Sequence, residues 1–324
     1  AVAYTGNVRK IAEEARQYAE VVVVDDRSED RTLEALREIE SSLPNVSVYA
    51  HDGAGVAAAR RFLVKNSKGA YIWFVDIDDE PILSSVVSIL PSLSERTVDA
   101  FIFDALKVFS DGSTLAIPDG SQNGETQNGP QAVDAILRGK LTGHLWNKIY
   151  RREIFEERAI PDLGTREDLA ASISVLSGAK EVVAVKSILY RYEIRAGSLM
   201  NSRNFNYEDL FQLDDLVEDL VGGDENPYWS PESVDDFRYR EVLFPIANEL
   251  LRRQPLRSAI NSREFKRIQA EVRRTRTFGR HSLPSHYRSL KLRLFTLSNG
   301  WIYGLIYKAY RRMKWKALDS GMVG

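Results

Sequence analysis

The chain has 324 residues, with 20 Gly, 11 Pro and no Cys, a length that allows one large or two ordinary domains. Hydrophobic residues make up 44% and charged residues 28%, enough for a real core, and the lack of cysteine excludes disulfide scaffolds, thiolate metal sites and cysteine nucleophiles. The formal net charge of −2 hides a division: Arg252 to Lys316 holds 18 Lys and Arg against two Glu, a net of +16, so the remainder is at −18.

Ala1 to Tyr4 reads as the end of a buried strand, with the expectation that a few residues precede it. Val8 to Tyr18 has helical spacing. Val21 to Val24 is a continuous β-branched run, the pattern of a strand buried on both faces. The spacing then predicts a helix over 32–39, a strand through Val46, Val48 and Ala50, a helix over 56–65 and a strand over 70–75. Such alternation with short connections implies an α/β fold, a mostly parallel sheet flanked by helices.

Further along, 101–108 and 114–117 read as a hairpin around Ser110-Asp111-Gly112. Asp119 to Pro130 contains no apolar residue and reads as a loop long enough to form a lid. Helices are expected over 132–137 and 167–176, with a strand near 182–190. Beyond Phe205 the pattern is almost entirely helical, first acidic and then basic. A boundary near Met200 divides the chain into a sheet-containing domain, 1–200, and a helical domain, 201–324. No apolar run approaches the roughly 18 to 20 residues of a spanning helix, and no signal peptide opens the chain.

In a parallel sheet, ligands bind beyond the carboxyl ends of the strands. Val21–Val24 is followed by Asp25, Asp26, Arg27, Ser28, Glu29 and Asp30, and 70–75 by Asp76, Ile77, Asp78, Asp79 and Glu80. The first group also suits a helix cap, with Ser28 at the end and favourable charge on the first turn. The second is harder to reduce to capping, because one cap needs one carboxylate. Three carboxylates in four residues repel unless a cation joins them, and a hard divalent ion such as Mg²⁺ or Mn²⁺ suits oxygen ligands. A rival is Gly53-Ala54-Gly55, which opens a helix after a strand and has Asp76 at about dinucleotide-fingerprint spacing. It would make the chain a nicotinamide- or flavin-dependent oxidoreductase. Against it, His51 and Asp52 lengthen the turn and place an anion where pyrophosphate would lie. A third reading is a non-catalytic module that binds sugar nucleotides.

The blocks VAYTGN, VVVVDDRSED, GAGVAAARR and GAYIWFVDIDDE, in that order, resemble an inverting family 2 glycosyltransferase with the GT-A nucleotide-sugar fold. HLWNKIYRREIF, TREDLAASISVL and YRYEIRAGSLMN extend the resemblance to about Asn201, while the last third matches loosely. The resemblance implies that Asp25 and Asp26 meet the base of the nucleotide, with Val2 and Tyr4 bordering it and Arg60 nearby. Asp76 would approach the ribose and share a metal with Asp78. Asp168 would be the catalytic base, next to Glu167, and Trp146 and Lys148 would flank the donor sugar or acceptor. On its residues alone, the 165–168 segment also suits a helix start, where Thr165 or Glu167 would satisfy free N–H groups. His144 adjoins Trp146 and Lys148 and is a candidate for phosphate or acceptor contact. Arg27 and Arg61 depart from the family pattern, as does Val-Ala-Tyr-Thr near the start.

The expected partners are a nucleotide-sugar donor, with UDP favoured, and a glycan or lipid-linked acceptor. The basic stretch 252–316 interleaves Arg and Lys with Phe295, Trp301, Ile302, Tyr303, Leu305, Ile306, Tyr307 and Tyr310. One reading is an ordinary helical subdomain with a solvated basic face. The other is an amphipathic segment on an anionic membrane surface, which would give a cytoplasmic protein held peripherally. No nucleic-acid module accompanies the charge.

Overall fold

The computed structural model describes residues 2–53, 55–95, 98–122, 126–194, 205–222, 228–278, 294–295 and 298–319. Two compact units are present: Ala1–Asp209 with Asp219–Tyr228, and Leu210–Glu218 with Trp229–Gly324.

The first unit opens differently from its expected strand end. Val2–Tyr4 is a 3-10 turn, closed by the Thr5 hydroxyl donating to the Val2 carbonyl at 2.9 Å. It leads into α1 (Thr5–Ala15), β1 (Val21–Asp25), α2 (Thr32–Ser42), β2 (Val46–Ala50) and α3 (Val56–Asn66). β1 and β2 pair in parallel, from Val21 with Val46 to Asp25 with Ala50. The periodic apolar positions of α1 and α2 cover this pair, with Val8, Ala12, Leu36 and Ile39 packed around Val46 and Val48.

The remaining strands are β3 (Tyr71–Trp73), β4 (Glu80–Pro81), β5 (Ala100–Val108), β6 (Thr114–Ile117), β7 (Thr126–Gln127), β8 (Lys148–Arg151) and β9 (Val182–Glu193). They form a second sheet in the order β3-β8-β5-β9-β4, with β6 on β5 and β7 on β9. Within it only β5 and β9 run parallel; the other pairings are antiparallel. The sheet is thus mixed rather than mostly parallel. Its core gathers Phe101, Phe103, Trp146, Ile149, Leu189 and Tyr190. The β5–β6 hairpin closes as expected, with Gly112 at φ 81° supplying the left-handed turn residue.

The expected lid over 119–130 is not a loop. Asp119–Gln122 forms a helical turn, β7 joins β9, and Asn128 caps the helix Gly129–Leu137 through a reciprocal bond with Gln131. Residues 123–125 lie outside the described residues. The polar composition misled because Asp119 is buried, accepting from the Thr142 amide at 3.1 Å and from Asn147 Nδ2 at 2.6 Å.

The second unit is helical, with Pro231–Phe237, Phe244–Arg253, Leu256–Asn261, Arg263–Phe278 and Trp301–Asp319 among its elements. Ser230 caps the first of these, and Pro231 sits at its opening turn. Inside this unit Arg238 Nε donates to Asp214 at 2.8 Å. Residues 279–293, 296 and 297 of the basic stretch lie outside the described residues.

Candidate active site

Asp25 ends β1 in a buried position. Its Oδ2 accepts the Ser28 amide at 3.2 Å, while its Oδ1 is buried with no protein partner among the described residues. Asp26 points to the next loop, with Oδ1 2.8 Å from His51 Nδ1 and Oδ2 accepting the Gly55 amide at 3.2 Å. That last bond bears on the dinucleotide reading. Gly53 and Gly55 do adopt φ of 76° and 87°, but the Gly55 N–H that would face a pyrophosphate is taken by a carboxylate. Arg27 covers Gly53 so closely that a Cβ there would fall 2.3 Å from Arg27 Cδ. The Gly55 N–H and the Cα of Gly53 are thus each engaged by neighbouring side chains, which weighs against that ligand.

Arg60, on the buried face of α3, is where the distant parts of the site meet. Its guanidinium pairs closely with Asp168 Oδ1, lies 3.4 Å from Glu167 Oε1 and is 3.9 Å from Asp76 Oδ1. Glu167 and Asp168 open the helix Glu167–Ser177, after Arg166 turns the chain in a left-handed conformation. Burial raises the pKa of Asp168 against the opposing pull of Arg60, and does the same for Glu167 with help from the Asp168 charge. Asp76 also titrates high, first from burial and then from Asp78 and Glu167, although 44% of its side-chain surface stays open.

The third acid after β3 has a different role. Asp79 is 2% exposed and accepts the Tyr190 hydroxyl at 2.9 Å and the Glu193 amide at 3.0 Å. The same hydroxyl accepts the Asp76 amide at 3.1 Å. Burial pushes Asp79 up to about 7. Asp79 and Tyr190 therefore hold the backbone of the acidic segment that carries Asp76 and Asp78.

Trp146 and Lys148 differ from their expected place beside a sugar. Lys148 is fully buried, and its ammonium donates to the carbonyls of Thr142 and His144 and to Asn147 Oδ1 at 2.7 to 2.8 Å. All three protons are thus used inside the protein, and burial brings its pKa down to about 8. Trp146 is stacked between His144 at 4.6 Å and Tyr190 at 4.7 Å. Both side chains are packed inside the protein. His144 is driven down to about 3, chiefly by burial and then by Lys148, Lys107 and Arg166, so it stays neutral. A neutral imidazole makes a poor phosphate anchor.

Val2 and Tyr4 lie in the opening turn, where the Val2 amide donates to Asp30 Oδ2 at 3.2 Å. The Gly197-Ser198 block falls within 195–204, outside the described residues. Sequence reasoning missed His51, Tyr190, Asp119 and Asn147, whose partners are distant along the chain. Between β1 and β3 lies a cavity of about 770 Å³ whose wall includes Asp25, Asp26, Ser28, Arg60 and Asp76.

Among the described residues, no three His, Asp or Glu side chains are grouped to hold a metal. Asp76 and Asp78 still fit a hard divalent ion: both are oxygen donors, and the charge of Asp78 helps raise the pKa of Asp76. Mg²⁺-type sites use one or two carboxylates and take the remaining oxygens from a substrate phosphate.

Residues 7–159 match the family model described as Glycosyl transferase family 2. EpsH of Bacillus subtilis, a glycosyltransferase by name, is 26% identical over 186 residues, covering 56% of this chain and 54% of EpsH. TuaG of the same organism, named for teichuronic acid biosynthesis, is 25% identical over 199 residues, covering 60% of this chain and 75% of TuaG. The chain therefore spans about half of the first of these relatives. Among solved structures, Staphylococcus aureus TarS 1-349 in complex with UDP-GlcNAc superposes with a TM-score of 0.67 at 17% identity, over 93% of this chain and 86% of that one. The fold is thus the one TarS has, the GT-A fold. The stretch 7–159 is thus similar to a glycosyl transferase family 2 domain.

Proposed function

We propose that the chain transfers a sugar from a UDP-linked donor to a hydroxyl of a glycan or lipid-linked acceptor, with inversion at the anomeric carbon. The observation that carries this reading is the meeting of Asp76, Glu167 and Asp168 on Arg60, beside the acidic end of β1. The TarS complex with UDP-GlcNAc supports the choice of nucleotide, and the TuaG name supports an envelope polysaccharide as the product's setting.

Asp168 acts as the base. Burial makes its carboxylate more basic than a solvated one, so it takes the acceptor proton more readily as the oxygen attacks. The new C–O bond forms as the bond from the anomeric carbon to the diphosphate breaks, and that electron pair leaves with the diphosphate. Arg60 fixes the direction of the Asp168 carboxylate, and Asp79 with Tyr190 holds the segment bearing Asp76 and Asp78. Those two carboxylates would hold Mn²⁺ or Mg²⁺, which supplies Lewis-acid neutralisation of the leaving diphosphate. Asp25 and Asp26 would receive the base of the nucleotide, with the unpartnered Asp25 Oδ1 offering an acceptor.

The test is a UDP titration with and without Mn²⁺, followed by Asp168→Asn in a panel of nucleotide sugars. Metal-dependent UDP binding is expected, with Asp168→Asn lowering turnover roughly 10²- to 10⁴-fold at unchanged UDP affinity. Binding of NAD in place of UDP, or full turnover in the Asn variant, would overturn the reading.

The setting of the reaction draws on the second unit. Along Trp301–Asp319, the side chains of Trp301, Ile302, Leu305, Ile306 and Tyr310 are exposed, while Tyr303 is buried. Spacings of one, four, five and nine residues place them on one helical face, with Arg311 and Arg312 following. This face supports peripheral attachment to an anionic membrane. No helix among the described residues is long and apolar enough to cross one.

A further inference from the structure

The helix that carries Glu167 and Asp168 starts from a strained residue. Arg166 stands at its cap with φ 63° and makes no side-chain cap bond. A residue with a Cβ stays in the left-handed region only where its surroundings over-determine it. The Arg166 carbonyl accepts the Ala170 amide at 3.0 Å, the first bond of the helix. Whatever fixes Arg166 therefore also fixes the direction in which the next two side chains leave the backbone. Downstream, that direction ends on Arg60. Upstream, the chain is held at two points.

The first point is Arg61, beside Arg60 on α3. Its Nη1 donates to the Ile160 carbonyl at 3.2 Å and its Nη2 to Asp162 Oδ1 at 2.8 Å. Asp162 is 78% exposed, and an ion pair so open to water holds little. The second point is Asp209, in the first turn of the helix Tyr207–Gly222, and it is buried. Its Oδ2 accepts two consecutive amides, Gly164 at 2.9 Å and Thr165 at 2.8 Å. Its Oδ1 accepts Asn206 Nδ2 at 2.5 Å, and the Asn206 amide donates to the Thr165 hydroxyl oxygen at 3.1 Å. An acid in the first turn ordinarily serves its own helix. Here Asn206 Oδ1 takes the Glu208 amide at 3.0 Å, and the Asp209 carboxylate is spent on a turn that lies 44 and 45 residues earlier. Hydrogen bonds to an ionised carboxylate are roughly twice as strong as neutral ones, so the buried anchor outweighs the exposed one.

We infer that Asp209 is a positioning residue for the transfer reaction: it anchors the Gly164 and Thr165 amides and, through the left-handed turn at Arg166, sets where the Asp168 carboxylate meets the acceptor hydroxyl. The inference rests on the reading of Asp168 as the base. A misplacement of about 1 Å at a reacting group costs on the order of a hundredfold in rate. Asp25, Asp26 and Asp76 lie on other elements, so loss of the anchor acts on turnover and spares the nucleotide.

The test compares Asp209→Ala, Asp209→Asn, Asn206→Asp and the double variant Asn206→Asp, Asp209→Asn with the parent. Asp209→Ala is expected to lower kcat roughly a hundredfold at the parent's UDP affinity, and to speed amide exchange at Gly164, Thr165 and the first turn after Arg166. In Asp209→Asn the new amide group faces the amide group of Asn206, donor against donor; in Asn206→Asp two carboxylates meet. Both single variants should lose turnover. The double variant exchanges the two roles, restores the pattern of donors and acceptors, and should recover most of kcat. Exchange in Asp209→Ala equal to the parent's overturns the anchor. Faster exchange with full kcat, or UDP affinity falling in step with kcat, overturns the positioning role, and so does a double variant no better than either single one. A parent that transfers no sugar, or full turnover in Asp168→Asn, instead overturns the reading of the base, and amide exchange still decides whether Asp209 holds the turn.

Discussion

Arg60 shares one guanidinium among three carboxylates, each raised in pKa by burial and each held down again chiefly by Arg60 itself. Replacing it by Met keeps the length of the side chain and removes the charge. Asp76 and Asp168 then titrate higher still, because the opposing Coulomb attraction is gone. The acid limb of kcat/KM is expected to move to higher pH in Arg60→Met, with reduced turnover at neutral pH. A pH–rate profile identical to the parent's would show that Arg60 does not set the base.

His144 makes the opposite kind of prediction. Its folded pKa of about 3 lies below its ordinary 6.5, because burial and the cations of Lys148, Lys107 and Arg166 disfavour the imidazolium. The unfolded chain binds a proton that the folded chain refuses, so stability is lost as pH falls below about 6.5. His144→Phe preserves an aromatic ring against Trp146 and removes the proton. Its unfolding temperature should gain on the parent's as pH drops from neutral toward 5, and a constant gap between the two would refute this.

At this scale the sequence is informative where the pattern is local. Asp76 and Asp78 stand out as candidates because they follow an apolar run, while Asp168 on its residues alone reads as part of a helix start and becomes a candidate only through the family resemblance. The roles of Asp79 and Lys148 are hidden: the partner of Asp79 is Tyr190, 111 residues away, and Lys148 looks like any surface cation until its carbonyl cage is seen.

Among the elements, α2, α3, β2 and the β5–β6 hairpin stand close to where periodicity places them, since their apolar positions and turn residues lie within one short window. The segment 119–130 fails for a specific reason. Its polar residues are read as solvated, yet Asp119 is consumed by Thr142 and Asn147, and Gly120 passes against β9. A Cβ at Gly120 would fall 2.1 Å from the Val185 carbonyl oxygen and 3.1 Å from Phe103 Cα, both backbone atoms that cannot swing aside. Gly120→Ala is therefore expected to destabilise the first unit by ~1–3 kcal/mol, the usual cost of forcing extra volume into a packed site. Urea unfolding measures it. A substitution in a mobile lid would leave the midpoint unchanged, so the same experiment separates the two descriptions. The mixed sheet has a similar origin: alternating β and α signals specify parallel neighbours early on, but carry nothing about β8 inserting between β3 and β5 from 75 residues later.

The whole molecule is defined by its charge division, a body at −18 and a stretch at +16 within a chain of net −2. The negative body is repelled by an anionic surface, so any attachment there must come from the basic stretch and its apolar helical face. Each basic residue near such a surface contributes ~1 kcal/mol. Removing Arg311 and Arg312 together should then weaken binding to anionic vesicles by about thirtyfold, and reversing both to Glu by more. Trp301→Ala with Ile306→Ala acts differently, because it removes buried apolar area and its effect persists at high salt. Co-sedimentation with phosphatidylserine-containing vesicles, at low and high salt, distinguishes the two contributions. The Arg311→Glu, Arg312→Glu protein should lose its salt-sensitive binding, and the Trp301→Ala, Ile306→Ala protein its salt-resistant remainder. If all three proteins sediment equally, the exposed face of Trp301–Asp319 does not meet a membrane, and a second copy of the chain becomes the partner to test by measuring oligomeric state.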